Sequence, residues 1–309
     1  MTGGRSLTAL LAAAVMAATA GCGGAGVAVG HPSSSFPLSL SAAGGKVTIP
    51  HRPSRVISLS ATATEDLYAV GAGKQVVAVD SYSTYPANAP RTSLSGFQPN
   101  IEAIAAYRPD LVVSSDDTGD LSGQLGKLGI PVLIEPPAAD LNGLYAQMRQ
   151  IGAATGHSGD AATSVSALRA QIEGILKSAP KSSRRLSVYH ELDQTYFTAT
   201  SHTFIGQIYT LLGLHDIADA APGSNPYPQL SSEFITSANP DLIVLADTVC
   251  CKQSPETVRA RPGWSAIAAV RNGAVVPVSD DIASQWGPRV VLFIQAVVNE
   301  LKTLQRQGM

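Results

Sequence analysis

The twelve residues from Glu102 to Val113 read EAIAAYRPDLVV, and the twelve from Glu233 to Val244 read EFITSANPDLIV. In both stretches a proline follows the glutamate by seven residues, and Asp-Leu, an aliphatic residue and Val come directly after it. Each stretch predicts a short helix, a turn at Pro-Asp and a buried strand. One such unit is common in proteins, but two at matched spacing indicate two lobes of similar build.

The rest of the chain alternates between strand and helix patterns. Apolar, β-branched runs predict strands at 56–59, 76–79, 111–114 and 131–134, and again at 186–190, 196–199, 242–245 and 274–278. Helices are predicted in the gaps between them. This alternation is typical of an α/β protein with mostly parallel sheets.

One longer helix separates the two groups of strands. It is predicted over 160–178, where Val165, Leu168, Ile172 and Ile175 recur at helical spacing. The fold class is therefore α/β, with two pseudo-symmetric lobes joined by one long interlobe helix. We predict an N-terminal lobe at 46–157, the interlobe helix at 158–180 and a C-terminal lobe at 181–309.

The two repeats carry matching helix signals. Asn100 and either Ser231 or Ser232 stand where N-caps are expected. Glu102 and Glu233 then fall in the first helical turn, where a negative charge complements the positive end of the helix dipole.

Another helix is marked at both ends in the first lobe. The spacing Thr62-x-x-Glu65 has the form of a capping box, in which the Thr hydroxyl and the Glu carboxylate satisfy free backbone amides. Gly71 has the residue type that most often ends a helix. We therefore predict that this helix opens at the box and closes at Gly71.

The N-terminus has the pattern of an exported protein. Arg5 precedes an uncharged run of 14 residues, 7–20, which is shorter than the roughly 20 residues that a bilayer span needs. This predicts a signal peptide over 1–21. Thr19-Ala-Gly-Cys22 resembles the lipobox of bacterial lipoproteins, so we predict that Cys22 is lipidated and anchors the chain to the outer face of the cell membrane. The alternative is an ordinary secretory signal with a chance cysteine.

The segment that follows the signal is interpreted as a tether. Residues 22–45 are rich in Gly, Ala and Ser and carry little patterned apolar sequence. A flexible chain of that length has a mean reach of about 25 Å, which would let the lobes work just off the membrane.

Charge and motifs exclude several functions. The chain has 21 Lys and Arg against 23 Asp and Glu and no basic block, whereas phosphate binding needs a concentrated cationic face. It contains neither a P-loop nor a Gly-x-Ser-x-Gly elbow. The spaced Cys and His ligands of a zinc site are missing as well. We therefore predict no enzyme, no metal or cofactor of its own and no nucleic-acid partner.

Two cysteines besides Cys22 are adjacent in sequence, Cys250 and Cys251. Neighbouring Cα atoms lie about 3.8 Å apart, below the usual disulfide range of about 4.4–6.8 Å. Two reduced thiols, a strained and redox-sensitive bridge, and an intermolecular link are all compatible with this spacing.

Ligands of open α/β sheets bind beyond the carboxyl ends of the strands. The rule nominates the segments that follow predicted strands: Asp80 to Tyr85, Ser114 to Asp117, His190-Glu191, Asp247-Thr248 and Asp280-Asp281. Two lobes that face each other would join these segments into one cleft. Aromatic residues are more often core than ligand contacts, but Tyr227 lies between two prolines in a predicted loop and is expected at the surface.

From about residue 55 to 304, the chain resembles the ABC-transporter solute receptors whose lobes are joined by one rigid helix, the class III periplasmic binding proteins. That class binds ferric siderophores, haem and cobalamin, and the cobalamin receptors are the most similar subgroup. The stretches that carry the resemblance are RVISLSATATE at 55–65, DSYSTYP at 80–86, NIEAI at 100–104, GIPV at 129–132, YPQLSSE at 227–233, RPGW at 261–264 and GPR at 287–289.

The resemblance implies roles for particular residues. It implies that Glu102 and Glu233 are exposed carboxylates, one on each lobe, that pair with arginines of an ABC permease and so deliver the ligand to the permease and its ATPase. The structural alternative is that they only complement their helix dipoles. The resemblance also nominates ligand-binding residues, which are Tyr82 or Tyr85, Phe197, Tyr227 and Asp281, with Phe97 and Trp286 as weaker candidates. We expect the receptor to act as a monomer.

Charge narrows the ligand. Ferric catecholates are strongly anionic and need several cations, but the nominated segments have only Arg289 near them. A neutral corrinoid or a neutral to cationic hydroxamate chelate fits better. Haem is an alternative if Tyr82, Tyr85 or His190 supplies an axial ligand, although a hydrogen-bonded core histidine is the simpler interpretation of His190. A chelate-binding scaffold that serves no transporter is the other alternative.

Overall fold

A computed structural model of the protein describes residue 1 and residues 35–182 and 184–308. The predicted signal peptide and Cys22 lie outside the described residues. Within those residues, no helix combines the length and the apolar character that crossing a bilayer requires.

The described chain contains strands and helices in the predicted alternation. The strands are β1 Leu38–Ala42, β2 Gly45–Ile49, β3 Val56–Ser58, β4 Val76–Val79, β5 Leu111–Ser114, β6 Val132–Ile134, β7 Ser187–Glu191, β8 His215–Asp216, β9 Leu242–Leu245 and β10 Val275–Pro277. The α-helices are α1 Ala61–Ala69, α2 Ile101–Ala106, α3 Leu121–Gly126, α4 Leu141–Thr155, α5 Ser158–Ser178, α6 Phe204–Leu211, α7 Ser232–Ala238, α8 Pro255–Arg259, α9 Ala268–Arg271, α10 Asp280–Ser284 and α11 Val290–Arg306.

Two four-stranded parallel sheets form the two lobes, which confirms the predicted α/β class with parallel sheets. The N-terminal sheet has the order β4-β3-β5-β6, and the C-terminal sheet has the order β8-β7-β9-β10. The two orders are the same when β3 is matched with β7 and β5 with β9. The strands of the sequence repeat, β5 and β9, are therefore equivalent central strands, paired through Ile57 with Val112 and through Tyr189 with Ile243.

The repeated Pro-Asp has the same structural role in both lobes. The Asp110 carboxylate accepts hydrogen bonds from the backbone N–H groups of Ser54 and Arg55, both at 2.8 Å. The Asp241 carboxylate accepts one from the backbone N–H of Ser187 at 2.9 Å. Each aspartate ties the start of its own strand to the start of the neighbouring central strand, which explains why the repeat extends beyond the apolar residues.

The interlobe helix α5 is embedded between elements of both lobes. Its buried face consists of Ala161, Val165, Leu168 and Ile172, and it packs on α4 from the first lobe and on α11 from the second. One continuous hydrophobic core includes this face together with residues of both sheets. Burying each large side chain stabilises the fold by roughly 1.5–3 kcal/mol. The helix that connects the lobes is therefore held in place by core packing.

The predicted tether is wrong over its last residues. β1 and β2 form an antiparallel hairpin across 38–49, with Leu40 paired with Val47 and both side chains packed against the core. The Gln150 side-chain amide donates to the Ser41 carbonyl at 3.0 Å and holds the hairpin against α4. The alternation in LSLSA and GKVTI around the Ala43-Gly44 turn was the available signal, and the Gly, Ser and Ala content concealed it.

Two local predictions are corrected. The side chain that caps α1 is Ser60, whose Oγ accepts the Ala63 N–H at 3.3 Å, whereas Thr62 lies inside the first turn. The expected strand at 196–199 is only a single bridge between Phe197 and Gln229. Tyr196 has a φ of 72°, in the left-handed region, which is incompatible with an extended strand.

β8 was not predicted and contains a buried acid. Asp216 is 2% exposed; one carboxylate oxygen accepts the Ala218 N–H at 2.9 Å, and the other has no partner among the described residues. Burial raises the pKa of Asp216 from 3.8 to about 8. The carboxyl group is therefore protonated in the folded protein at neutral pH.

Replacing Asp216 by Asn should remove a pH-dependent loss of stability. The folded chain holds this proton in a pH range where the unfolded chain has released it, so wild-type stability falls as pH rises from about 4 to about 8. The amide of Asp216→Asn does not titrate. The variant should therefore gain up to about 1.4 kcal/mol on the wild type for each pH unit in that window. Urea unfolding of both proteins at about pH 5 and about pH 8 measures this, and equal pH slopes would contradict it.

Candidate functional site

The loop after β4 presents aromatic side chains at the carboxyl edge of the N-terminal sheet. Asp80 is 2% exposed, and its Oδ1 accepts hydrogen bonds from the Ser83 N–H at 3.0 Å and the Ser83 hydroxyl at 2.6 Å. This turn leaves Tyr82 58% exposed and Tyr85 47% exposed. Tyr82 also makes an edge-on contact with the exposed Phe97, with ring centroids 5.3 Å apart. An exposed aromatic surface therefore lies where the first lobe is expected to contact a ligand.

Two aromatic residues occupy the matching edge of the C-terminal lobe. Phe197 follows β7, and its carbonyl accepts the Leu192 N–H at 2.9 Å. The segment with Tyr227 runs alongside, joined by a hydrogen bond from the Thr198 N–H to the Pro228 carbonyl at 3.0 Å. Phe197 is 37% exposed and Tyr227 is 42% exposed, so both rings have accessible surface.

The lobes contact each other directly at this edge. The Thr84 hydroxyl, next to Tyr85, donates to Asp281 Oδ2 of α10 at 2.6 Å. The Arg289 guanidinium lies 4.4 Å above the Tyr85 ring. Tyr85 and Asp281, both nominated from sequence, are thus at the junction of the lobes.

A buried ion pair closes the junction. The Arg289 guanidinium donates to Glu65 Oε1 at 2.6 Å, and the Glu65 side chain is 2% exposed. Burial raises the pKa of Glu65, and the hydrogen bond from Arg289 opposes that shift. A Cβ atom at Gly287 would lie 3.0 Å from Glu65 Oε2, which accounts for the glycine in the GPR motif. Arg289 is therefore committed to a protein carboxylate at this junction.

Two weaker candidates belong to the core. Trp286 is 8% exposed and stacks on Phe204 with ring centroids 4.8 Å apart. His190 is fully buried, with Nδ1 2.7 Å from the Tyr209 hydroxyl oxygen, and burial lowers its pKa to about 3. The interpretation of His190 as a hydrogen-bonded core residue fits this environment, and a ligand cannot reach it without a rearrangement.

The strand ends Glu191 and Asp247 form a buried cluster with Arg261. The Arg261 guanidinium donates to both oxygens of Glu191 at 2.6 Å and lies 4.5 Å above the Trp264 ring. The pKa of Asp247 is raised to about 7. Burial is the main cause, and the negative charge of the nearby Glu191 is the second. The strand-end rule nominated both carboxylates as ligand residues, but the structure buries them beneath the edge. Sequence reasoning missed the role of Arg261, although the RPGW motif marked its position.

The adjacent cysteines form an intramolecular disulfide, one of the three states that the sequence left open. The bridge lies in the segment that follows β9, next to α10. The Asp280 carboxylate holds this segment by accepting the Val249 N–H at 2.8 Å and the Cys250 N–H at 2.7 Å. We call residues 248–253 the disulfide loop.

The two repeat glutamates occupy equivalent exposed positions. Glu102 and Glu233 are each the second residue of their helix, α2 and α7, after N-caps that the structure assigns to Asn100 and Ser231. The backbone N–H of Glu233 and the Ser231 hydroxyl lower the pKa of Glu233. Each helix runs back toward the amino end of the strand it precedes, so its own N-terminus lies at the carboxyl edge of the sheet. Both glutamates are therefore at the same edge as the exposed aromatics.

Comparisons with known proteins agree with this architecture. A family model described as periplasmic binding protein matches residues 56–281. YvrC of Bacillus subtilis, an uncharacterized ABC transporter substrate-binding lipoprotein, is 30% identical over 95% of both chains. A cobalamin-binding protein of Halobacterium salinarum is 32% identical over 83% of this chain and 72% of its own. The crystal structure of the periplasmic vitamin B12 binding protein BtuF of Vibrio cholerae superposes with a TM-score of 0.69, at 23% identity, over 84% of this chain and all of that one.

Proposed function

The chain belongs to the periplasmic binding protein family, and from that premise we propose that it is the receptor of an ABC importer that captures a metal chelate between its lobes and delivers it to the permease. Proteins of this family bind solutes outside the cytoplasm and are not enzymes. The observation that carries the proposal is the presence of exposed aromatic side chains from both lobes at one edge, beside the junction of the lobes.

A corrinoid is the ligand we propose first. Tyr82, Tyr85, Phe197 and Tyr227 offer apolar faces that suit a large macrocycle. Arg289, the cation nominated near them, is already paired with Glu65, which disfavours a strongly anionic ferric catecholate. The relative from Halobacterium salinarum is named a cobalamin-binding protein, which supports the same choice. Haem and a hydroxamate chelate are the alternatives that the experiment must separate.

Titration of the purified protein with cyanocobalamin, haemin and a ferric hydroxamate tests this function. We expect one chelate to bind at a ratio of one per chain, with no chemical conversion of the chelate. Ligand at about 100 times its Kd should stabilise the fold by about 2.7 kcal/mol, which a thermal shift detects. A folded protein that binds none of the three would contradict the proposal.

Truncating the edge aromatics should weaken that binding. Tyr82→Ala and Tyr227→Ala should each raise the Kd about tenfold or more, because each removes roughly 1.5–3 kcal/mol of apolar contact with the ligand. Leu211→Ala is the matched control, since Leu211 is 55% exposed at the end of α6 that points away from this edge. Unchanged affinity in both tyrosine variants would place the ligand elsewhere.

Anchoring at the membrane completes the proposed function. We propose that Cys22 carries the lipid and that a single receptor chain serves the permease. The designation of YvrC as a lipoprotein, over 95% of both chains, supports the anchor. Mass spectrometry of the N-terminal peptide from the membrane fraction should show an acylated Cys22, and a free cysteine there would contradict the anchor.

A further inference from the structure

The disulfide loop lies at the carboxyl edge of the C-terminal sheet, beside α10. It follows β9, and β9 lies between β7, which leads to Phe197, and β10, which leads to α10. Asp280, which holds the loop, is next to Asp281, whose carboxylate bonds to Thr84 of the other lobe at 2.6 Å. The loop is thus placed between the aromatic side chains of its own lobe and the junction with the first lobe.

Backbone hydrogen bonds fix the loop against the sheet. Besides the two amides bound by Asp280, the Cys251 and Gln253 N–H groups donate to the Asp247 carbonyl at 3.2 and 3.3 Å. The disulfide adds a small covalent ring between Cys250 and Cys251. A loop held in one conformation before binding spends less free energy on ordering when a ligand arrives.

Part of the loop surface is apolar and accessible, beside the exposed side chain of Lys252. Val249 is 56% exposed, and Cys250 is exposed beside it. Neither cysteine belongs to the buried hydrophobic core. Exposed apolar surface that rigid backbone holds at a ligand edge is the kind of surface that contacts ligands.

Global stabilisation does not account for this disulfide. In the chain-entropy account, the stabilisation by a disulfide grows with the length of the loop that it closes, and adjacent residues close the shortest loop possible. The effect of the bridge is therefore local to the loop that carries it. An exported protein can keep such a bridge, because disulfides persist outside the cytoplasm.

We propose that the disulfide loop is part of the ligand-binding surface, where Val249 and the Cys250–Cys251 sulfurs contact the apolar face of a corrinoid or porphyrin. This inference rests on the proposed function and adds a contact to it. Reduction by a dithiol breaks the S–S bond, gives two thiols and leaves the reagent as its own disulfide. The loop then loses its ring, and affinity for the chelate falls.

The test compares the oxidised wild type with the double variant Cys250→Ser, Cys251→Ser, using cyanocobalamin and haemin as probes. The double variant should bind about tenfold more weakly, with a melting temperature close to that of the wild type. Its amides at 249–252 should exchange hydrogen faster, since the ring no longer restrains them. Pretreatment with dithiothreitol, removed before titration, should weaken the binding of the chelate by the wild type. The same pretreatment should leave the affinity of the double variant unchanged. The double variant also separates loop loosening from any new bond between a thiol and the metal of the chelate.

Each other outcome decides against the inference. Wild-type affinity in the double variant would show that the bridge makes no contribution to binding. If the double variant is instead globally destabilised, Val249→Ser, which keeps the bridge, is measured, and unchanged binding there would remove the loop from the ligand surface. An oxidised wild type that is folded but binds neither probe nor a ferric hydroxamate would overturn the proposed function as well. Leu211→Ala, remote from the edge, serves as the common control.

Discussion

Reversing the charge of both repeat glutamates should abolish transport while leaving ligand binding intact. We propose that these glutamates pair with arginines of the permease. In a Glu102→Arg, Glu233→Arg double variant the new arginines would face those arginines, and like charges across an interface cost several kcal/mol. Uptake of the chelate by cells should therefore fall about 100-fold or more. Both side chains are exposed at the first turns of α2 and α7, so their replacement leaves the core untouched. Uptake of radiolabelled ligand by a strain whose only receptor is the variant measures the effect.

The affinity of the same variant decides what the glutamates do. Titration with the ligand should give the wild-type Kd, since neither glutamate is among the proposed ligand contacts. Glu173→Arg, an exposed glutamate within α5, is the matched charge reversal and should leave uptake near the wild-type level. Normal uptake by the double variant would reduce both glutamates to partners of their helix dipoles and favour a scaffold without a transporter. A collapse of affinity would place them in the ligand site instead.

Replacing Arg261 by Met should destabilise the C-terminal lobe by about 3–5 kcal/mol, because it leaves a buried carboxylate without its counter-charge. Glu191 is fully buried, and both its oxygens accept from Arg261 at 2.6 Å. The guanidinium also stacks on Trp264 at 4.5 Å, and that contact would weaken too. Chemical denaturation at neutral pH measures the change, and the melting temperature should fall by about 10 °C.

An exposed ion pair supplies the matched control for this prediction. Arg184 contacts Asp241 through two hydrogen bonds of 2.7 Å, but its side chain is 52% exposed. Arg184→Met should therefore cost at most about 1 kcal/mol. Adding Glu191→Gln to Arg261→Met should recover much of the lost stability, since a neutral amide needs no counter-charge. Equal losses of unfolding free energy in Arg261→Met and Arg184→Met would show that burial does not determine how much the Arg261–Glu191 pair stabilises the fold.

Local patterns in the sequence were sufficient to predict all four strands of the N-terminal sheet and three of the four strands of the C-terminal sheet. The Pro-Asp repeat marked the starts of β5 and β9. The structure gives the reason, since the Asp110 and Asp241 carboxylates accept backbone N–H groups at the start of the neighbouring strand. The hairpin of β1 and β2 escaped because its strands are built from Ser, Gly and Lys as much as from apolar residues. Its burial depends on contact with α4, which local sequence does not report.

The sequence likewise predicted only part of the candidate site. The rule about strand ends correctly placed Tyr82 and Tyr85 in an exposed loop, since topology alone decides which loops share an edge. The same rule could not distinguish Glu191, which has Arg261 as a partner 70 residues later, from a carboxylate open to a ligand. Pairings over such separations depend on how helices pack, and a single sequence carries no direct signal of them.

The ion pair between Glu65 and Arg289 joins residues 224 positions apart, and so it has a consequence for the order in which the protein is completed. An exported chain emerges from its N-terminus, and α1 is available long before the start of α11. Until the last segment arrives, the carboxylate of Glu65 has no counter-charge and must remain hydrated or protonated. The first lobe therefore cannot finish its side of the lobe junction on its own. We expect a chain cut short before Arg289 to lack the ion pair that closes the junction between the lobes.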